Sequence, residues 1–177
     1  MTAFNSNGFT VLSAQANNKD GEYAAWVLKG GGAAVNNTDG TYTSQVSANV
    51  DAGFSIVTYT GTTGNQVQRT VGHGLSKAPE MVMIRNREWN SSNIGWPTWH
   101  KSLGNSLVYL DATAGSVPSD YPAHFGQQPN ATTFGVRYDL SIEASTNAYR
   151  ANGPYNYVAY CFHSVEGFSK FGKYTGN

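Results

Sequence analysis

Apolar and polar residues alternate along this chain in short runs rather than in helical periods. The runs GFTVLSA (8–14), YAAWVLK (23–29), FSIVTYTG (54–61) and QVQRTVGHG (66–74) are rich in Val, Ile, Tyr, Phe and Thr. So are EMVMIRNRE (80–88), SLVYLD (106–111), TFGVRYDLSI (133–142) and NYVAYCFHS (156–164). β-Branched and aromatic side chains suit a pleated, half-buried surface, so each run predicts a strand. Turn clusters separate them, among them 17–21 (NNKDG), 36–40 (NNTDG), 72–74 (GHG) and 152–154 (NGP). Their side chains bond the local backbone or tolerate positive φ. No segment keeps a 3.6-residue apolar period for three turns, and only short pieces such as 98–104 leave room for a helical turn. The pattern predicts an all-β fold, an antiparallel β-sandwich or jelly roll with little helix.

Two stretches break the alternation. KGGGAAVNNTDG (29–40) reads as a flexible connector, because consecutive glycines lose the most conformational entropy in any fixed element. The proline-studded DATAGSVPSDYPAHFGQQPNATT (111–133) reads as a long loop, where a rigid β scaffold often carries recognition.

The chain also repeats itself. Gly53-Phe54-Ser55 returns as Gly167-Phe168-Ser169, and Tyr59-Thr60-Gly61 returns as Tyr174-Thr175-Gly176. Residues 9–28 follow the plan of 134–162: an aromatic-led strand, an Asn-rich turn, then Tyr and a small-aromatic-apolar run. Ala24-Ala25-Trp26-Val27-Leu28 stands against Val158-Ala159-Tyr160-Cys161-Phe162. The beginning thus reads as the tail of one unit and the end as the head of another. Two partial copies are too few for a solenoid, but they imply an ancestor of tandem units. The expected organisation is a partial copy with its Gly-rich connector at 1–50, docking on a β-sandwich domain at 51–177. Spare edge strands invite pairing with another copy, so self-association by strand addition is expected.

The order GFSIVTYTG, TVGHGLSKAPEMVMIRNR, WHKSLGN, YVAYCFHSVEGFSKFGKYTGN resembles the repeated β-domain of structural proteins from marine and cyanobacterial tailed phages. The likeness spans roughly residues 50–177, with a partial second copy at 1–50. It implies a sandwich of the concanavalin-like lectin type in a tail-fibre-like or virion-surface protein, extracellular when mature. Host-surface glycans and other virion proteins are the implied partners. The alternative is a capsid or tail decoration module that binds other virion proteins and no sugar. A polysaccharide depolymerase is the remote one.

Composition points the same way. Hydrophobic residues are 40% of the 177, enough for a core, but only 12% are charged, against about a quarter in typical soluble domains. The surface therefore falls to Asn, Thr, Ser and Gly. Eleven basic and eleven acidic residues cancel without clustering, so nucleic acid is not expected as a partner. No apolar run approaches the ~20 residues of a membrane-spanning helix, so membrane insertion is not expected either. Cys161, alone of its kind and set in YVAYCFHSV, reads as a buried small hydrophobe.

Candidate chemistry is sparse. His73, His100, His124 and His163 are scattered without metal-ligand spacing, and no GxSxG, P-loop or dinucleotide fingerprint occurs. An enzyme is not expected, nor a cofactor. The turns at 17–22 and 36–41 offer oxygens to Ca²⁺ but lack spaced carboxylates, and they serve equally as Asx turns. His73, between glycines, is expected to bond backbone in a turn. The binding candidate is REWNSSNIGWPTWHKS (87–102). Trp89 and Trp96, with Arg87, Asn90 and Asn93, could stack on a sugar ring and bond its hydroxyls. The competing reading plugs the sandwich with these tryptophans, and the phage likeness places Trp99 and His100 in a structural strand.

Overall fold

The computed structural model describes residues 3–10, 22–64, 66–88, 95–111, 113, 115–116, 124–138 and 151–176. The described strands begin with β1 (Ala3–Asn5), β2 (Gly8–Thr10), β3 (Val35–Asn37), β4 (Ser44–Asn49) and β5 (Phe54–Thr60). There follow β6 (Gln68–Gly72), β7 (Met81–Asn86), β8 (Pro97–His100), β9 (Val108–Tyr109), β10 (Thr133–Arg137) and β11 (Asn156–Phe162). A 3₁₀ turn, Lys101–Leu103, lies inside the 98–104 window.

The fold is all-β, and every strand ladder among the described residues is antiparallel. Seven strands form one sheet in the order β3-β4-β5-β11-β7-β8-β9; β10 and β6 pair as a second layer, and β1 and β2 form a hairpin. The last strand in sequence is central in space. Tyr160 of β11 stands opposite Ile56 of β5 on one side and Met83 of β7 on the other.

Period-two alternation sorts the sheet into faces. Val46, Val57, Ala159 and Ile84 form one inward row across four strands, and all four are buried. Beside them the rings of Tyr59 and Tyr157 stack at 5.2 Å, and Phe134 of β10 meets Tyr59 edge-on at 6.2 Å. Val71 and Val136 complete the second layer, and all are fully enclosed. Each such side chain contributes roughly 1.5–3 kcal/mol by leaving water. Cys161 is buried in the same inner layer, as its setting predicted. Burial pushes its thiol up to about 12, which leaves no thiolate near neutrality.

The structure departs from the alternation in instructive places. YAAWVLK has strand composition, yet residues 22–30 belong to no strand and are almost wholly exposed. The Gly-rich run is not simply a connector, since Val35–Asn37 pairs with β4. Its glycines serve close approach: a Cβ on Gly31 would lie 1.9 Å from the Ala48 carbonyl oxygen. The Ser47 hydroxyl ties this backbone down, accepting the Gly31 N–H at 3.0 Å and donating to the Gly32 carbonyl at 2.8 Å. β4 itself (SQVSAN) escapes a search for apolar runs because only Val46 among its inward residues is large. The described end of the proline-studded loop is core as well. Phe125 is fully buried, and His124 Nε2 meets the Tyr109 hydroxyl at 3.0 Å. The expected strand ends at 11–14 and 139–142 fall largely or wholly outside the described residues.

Candidate binding surface

The outer face of the seven-stranded sheet is also apolar. Register places Ile56, Tyr160 and Met83 in one row and Phe54, Phe162 and Met81 in the next. Aromatic rings continue along it. Trp96 stacks on Tyr160 at 6.1 Å and Tyr160 on Phe54 at 6.4 Å, while Phe54 meets Phe162 at 4.9 Å and Phe162 meets Phe171 at 5.5 Å in tilted contacts. One end is polar. The Arg85 guanidinium lies 5.2 Å over the Trp96 ring and 3.8 Å from Asp111 Oδ2, while Asp111 Oδ1 accepts the Trp96 backbone N–H at 3.1 Å. Both partners of the ion pair are substantially exposed, so its contribution is small and the ring contact orients the guanidinium as much as the charge does.

Residues 25–28 lie over this face as a strap. With Ile56, Met83, Trp96 and Tyr160 they line a groove of about 450 Å³. A neighbouring groove of about 530 Å³ brings Val27 and Leu28 together with Phe54, Phe162, Phe168 and Phe171. The strap does not seal the face: Ile56, Met83 and Tyr160 stay half-buried, and Trp26, Val27 and Leu28 are themselves exposed.

Of the sequence candidates, Trp96 lies in this surface. Arg87 lies elsewhere, in a polar depression of about 230 Å³ lined by Gln45, Thr58, Thr60 and Asn156. Trp89, Asn90 and Asn93 lie outside the described residues. Trp99 faces the opposite way to Trp96, buried in the core with Nε1 donating to the Gly104 carbonyl at 2.8 Å. His100 caps the 3₁₀ turn through Nδ1, which accepts the Ser102 N–H at 3.2 Å. Burial lowers its pKa, helped by nearby Lys101 and opposed by Glu80. His73 bonds backbone on both sides, as expected of a turn residue. The 36–41 turn is an Asx turn, with Asn37 Oδ1 accepting the Asp39 N–H at 3.0 Å. Residues 17–21 of the other candidate Ca²⁺ turn lie outside the described residues. Among the described residues no three His, Cys, Asp or Glu side chains converge as metal ligands.

The aromatic run was missed by a reading that looked for tryptophans beside amides. Its signal was present in the strands themselves. FSIVTYT and NYVAYCF are apolar at both parities, the mark of a strand whose two faces both meet apolar surroundings.

A family model described as Domain of unknown function (DUF7483) matches residues 1–177, and the chain belongs to that family. No curated protein and no solved structure matches it.

Proposed function

We propose that this member of the DUF7483 family is a non-enzymatic β-sandwich module of a phage virion surface, and that its outer sheet face binds other virion proteins. The observation that carries the binding surface is the aromatic run from Trp96 to Phe171, in which Trp96, Tyr160 and Phe171 stay half-buried while Phe54 and Phe162 are covered. Contiguous apolar strips of this kind mark protein contacts. A sugar platform needs an open ring with hydroxyl partners beside it, whereas Trp96 already carries Arg85 and Tyr160. The virion setting rests on the likeness of the quoted segments to phage structural repeats and on the weakly charged surface. Three described carboxylates are spent on separate structural tasks. Glu80 binds Lys101 and Ser164, Glu88 binds Asn156, and Asp111 binds the Trp96 backbone.

The second reading is a host-glycan contact of a tail-fibre-like adhesin. It is favoured by the Arg85–Trp96–Asp111 corner, where charged groups border an aromatic ring. Co-sedimentation of the purified protein with purified phage particles separates the two. Binding that Phe171→Asp weakens, with a blank glycan array, is the expected result. Array binding erased by Trp96→Ala, without particle binding, transfers the assignment to the adhesin. Release of reducing sugar from host polysaccharide overturns the non-enzymatic reading.

A further inference from the structure

The two segments that echo other parts of the chain echo two strands that pair with each other. Residues 22–28 (EYAAWVL) align without a gap on 156–162 (NYVAYCF), which is β11. Residues 168–175 echo β5 with one extra residue, since Phe54 and Tyr59 are five apart and Phe168 and Tyr174 six. β5 and β11 are antiparallel neighbours at the centre of the sheet, Phe54 opposite Phe162. The chain therefore holds a second set of the same two strands, and in the structure neither 24–30 nor 170–176 is in any strand.

Their side chains are written for burial and left in water. Cys161 is 0% exposed and its counterpart Val27 is 74%; Phe54 is 4% and Phe168 is 72%; Tyr59 is 4% and Tyr174 is 94%. The backbone echoes too. Gly53 and Gly167 both adopt left-handed φ, +64° and +74°. Gly53 is pressed against His163, whose N–H donates to the Gly53 carbonyl at 2.9 Å and whose carbonyl oxygen would lie 2.5 Å from a Cβ at 53. Nothing lies within 4 Å of the same position on Gly167. The residue that corresponds to His163 is Lys29, next after Leu28.

We propose that the chain assembles head to tail, residues 22–29 of one copy pairing antiparallel with residues 167–175 of another. The β5–β11 ladder is rebuilt across the junction. Leu28 stands opposite Phe168 as Phe162 stands opposite Phe54, the Lys29 backbone closes on Gly167, and a bulge takes up the extra residue. Both segments already border one groove, so each is presented at the surface where a copy arrives. Phe9, which corresponds to Phe134 of the second layer, travels with the donated segment and lines the same face. The interface joins different surfaces, so it propagates into a chain or closes into a ring. This proposal deepens the assembly reading above and rests on it for its partner class, a virion protein, here a second copy.

The test mixes two single-site variants, Leu28→Cys and Phe168→Cys, each in a Cys161→Ser background and with matching thermal midpoints. Oxidation of the mixture is expected to give a disulfide dimer holding one of each, and each variant alone is expected to give much less. Separately, Val27→Asp is expected to abolish the larger species that sedimentation velocity shows at rising concentration, leaving the thermal midpoint of the monomer unchanged because Val27 is exposed there. The proposal is overturned if the mixture gives no mixed disulfide, or if the wild-type chain sediments as a monomer at every concentration. It is likewise overturned if a double variant cross-links only within itself. Particle binding that survives any of these failures leaves the assembly reading standing with a different partner.

Discussion

His73 is fully enclosed, and its hydrogen bonds identify the form of the ring that folds. Nδ1 accepts the Leu75 N–H at 3.0 Å, so the ring proton sits on Nε2 and is donated to the Asn130 carbonyl at 3.2 Å. This is a neutral imidazole. Burial holds its pKa below the usual range, with the Asn130 bond and the Asp39 charge opposing and His163 adding slightly to the depression. The unfolded chain then binds the proton more readily than the folded one. The stability this residue contributes is complete above about pH 6.5 and is lost as pH falls from there through the folded value. The thermal midpoint is therefore expected to drop between about pH 7 and pH 5, and His73→Gln is expected to flatten that slope while lowering the midpoint itself. A calorimetric pH series on both proteins checks it; equal slopes would place the acid sensitivity elsewhere.

Among the elements, the junction around Glu80 joins three pieces of chain. Its N–H donates to the Phe162 carbonyl at 2.6 Å and its own carbonyl accepts the Lys101 N–H at 2.8 Å, linking the start of β7 to the end of β11 and to the 3₁₀ turn. Its carboxylate takes Lys101 Nζ at 2.6 Å and the Ser164 hydroxyl. Burial alone would raise this carboxyl, but the Lys101 and Ser164 hydrogen bonds and the Lys101 charge outweigh it, and the pKa lies below the usual range. The corresponding stability is present above about pH 4.3 and disappears as pH falls through the folded value, a window below that of His73. Lys101 is half-exposed, so Lys101→Ala is expected to cost under about 1 kcal/mol. Glu80→Ala strips the Ser164 N–H and hydroxyl of their acceptor as well and is expected to cost more, on the order of 1–3 kcal/mol. Urea midpoints order the two; equal costs would mean that the ion pair alone matters.

At the scale of the molecule, the sandwich formed by the described residues is lopsided. A seven-stranded sheet meets a two-stranded layer on one side and a partly exposed strap on the other. The asymmetry has an energetic signature. Ile84 points inward and is fully enclosed, so Ile84→Ala is expected to cost about 2–5 kcal/mol. Its neighbour Met83 points outward and is half-buried, so Met83→Ala is expected to cost clearly less. Denaturant midpoints at equal m-values compare them, and equal losses would show that the outer face is as well packed as the inner.

Local alternation was enough to find the central strands. FSIVTYT, MVMIR and VAYCF each carry a β-branched or aromatic residue at every second position, a property of neighbours in the chain that needs no partner to be read. The same local logic located the Asx turn at 36–41, the burial of Cys161 and the backbone-bonded role of His73. It failed at β4, whose inward residues are mostly small, and at YAAWVLK, where strand composition is present and no strand forms. Choice of partner is non-local. Tyr160 meets Ile56 from more than a hundred residues away, and that pairing sets on the outer face the Tyr160 ring on which Trp96 stacks, while Trp99 is buried. It also sends Arg87 and Trp96 into separate depressions, although they are close in sequence. Short-range pattern thus dictates which residues become strands. Long-range pairing dictates which of their two apolar faces is sealed into the core and which stays partly exposed.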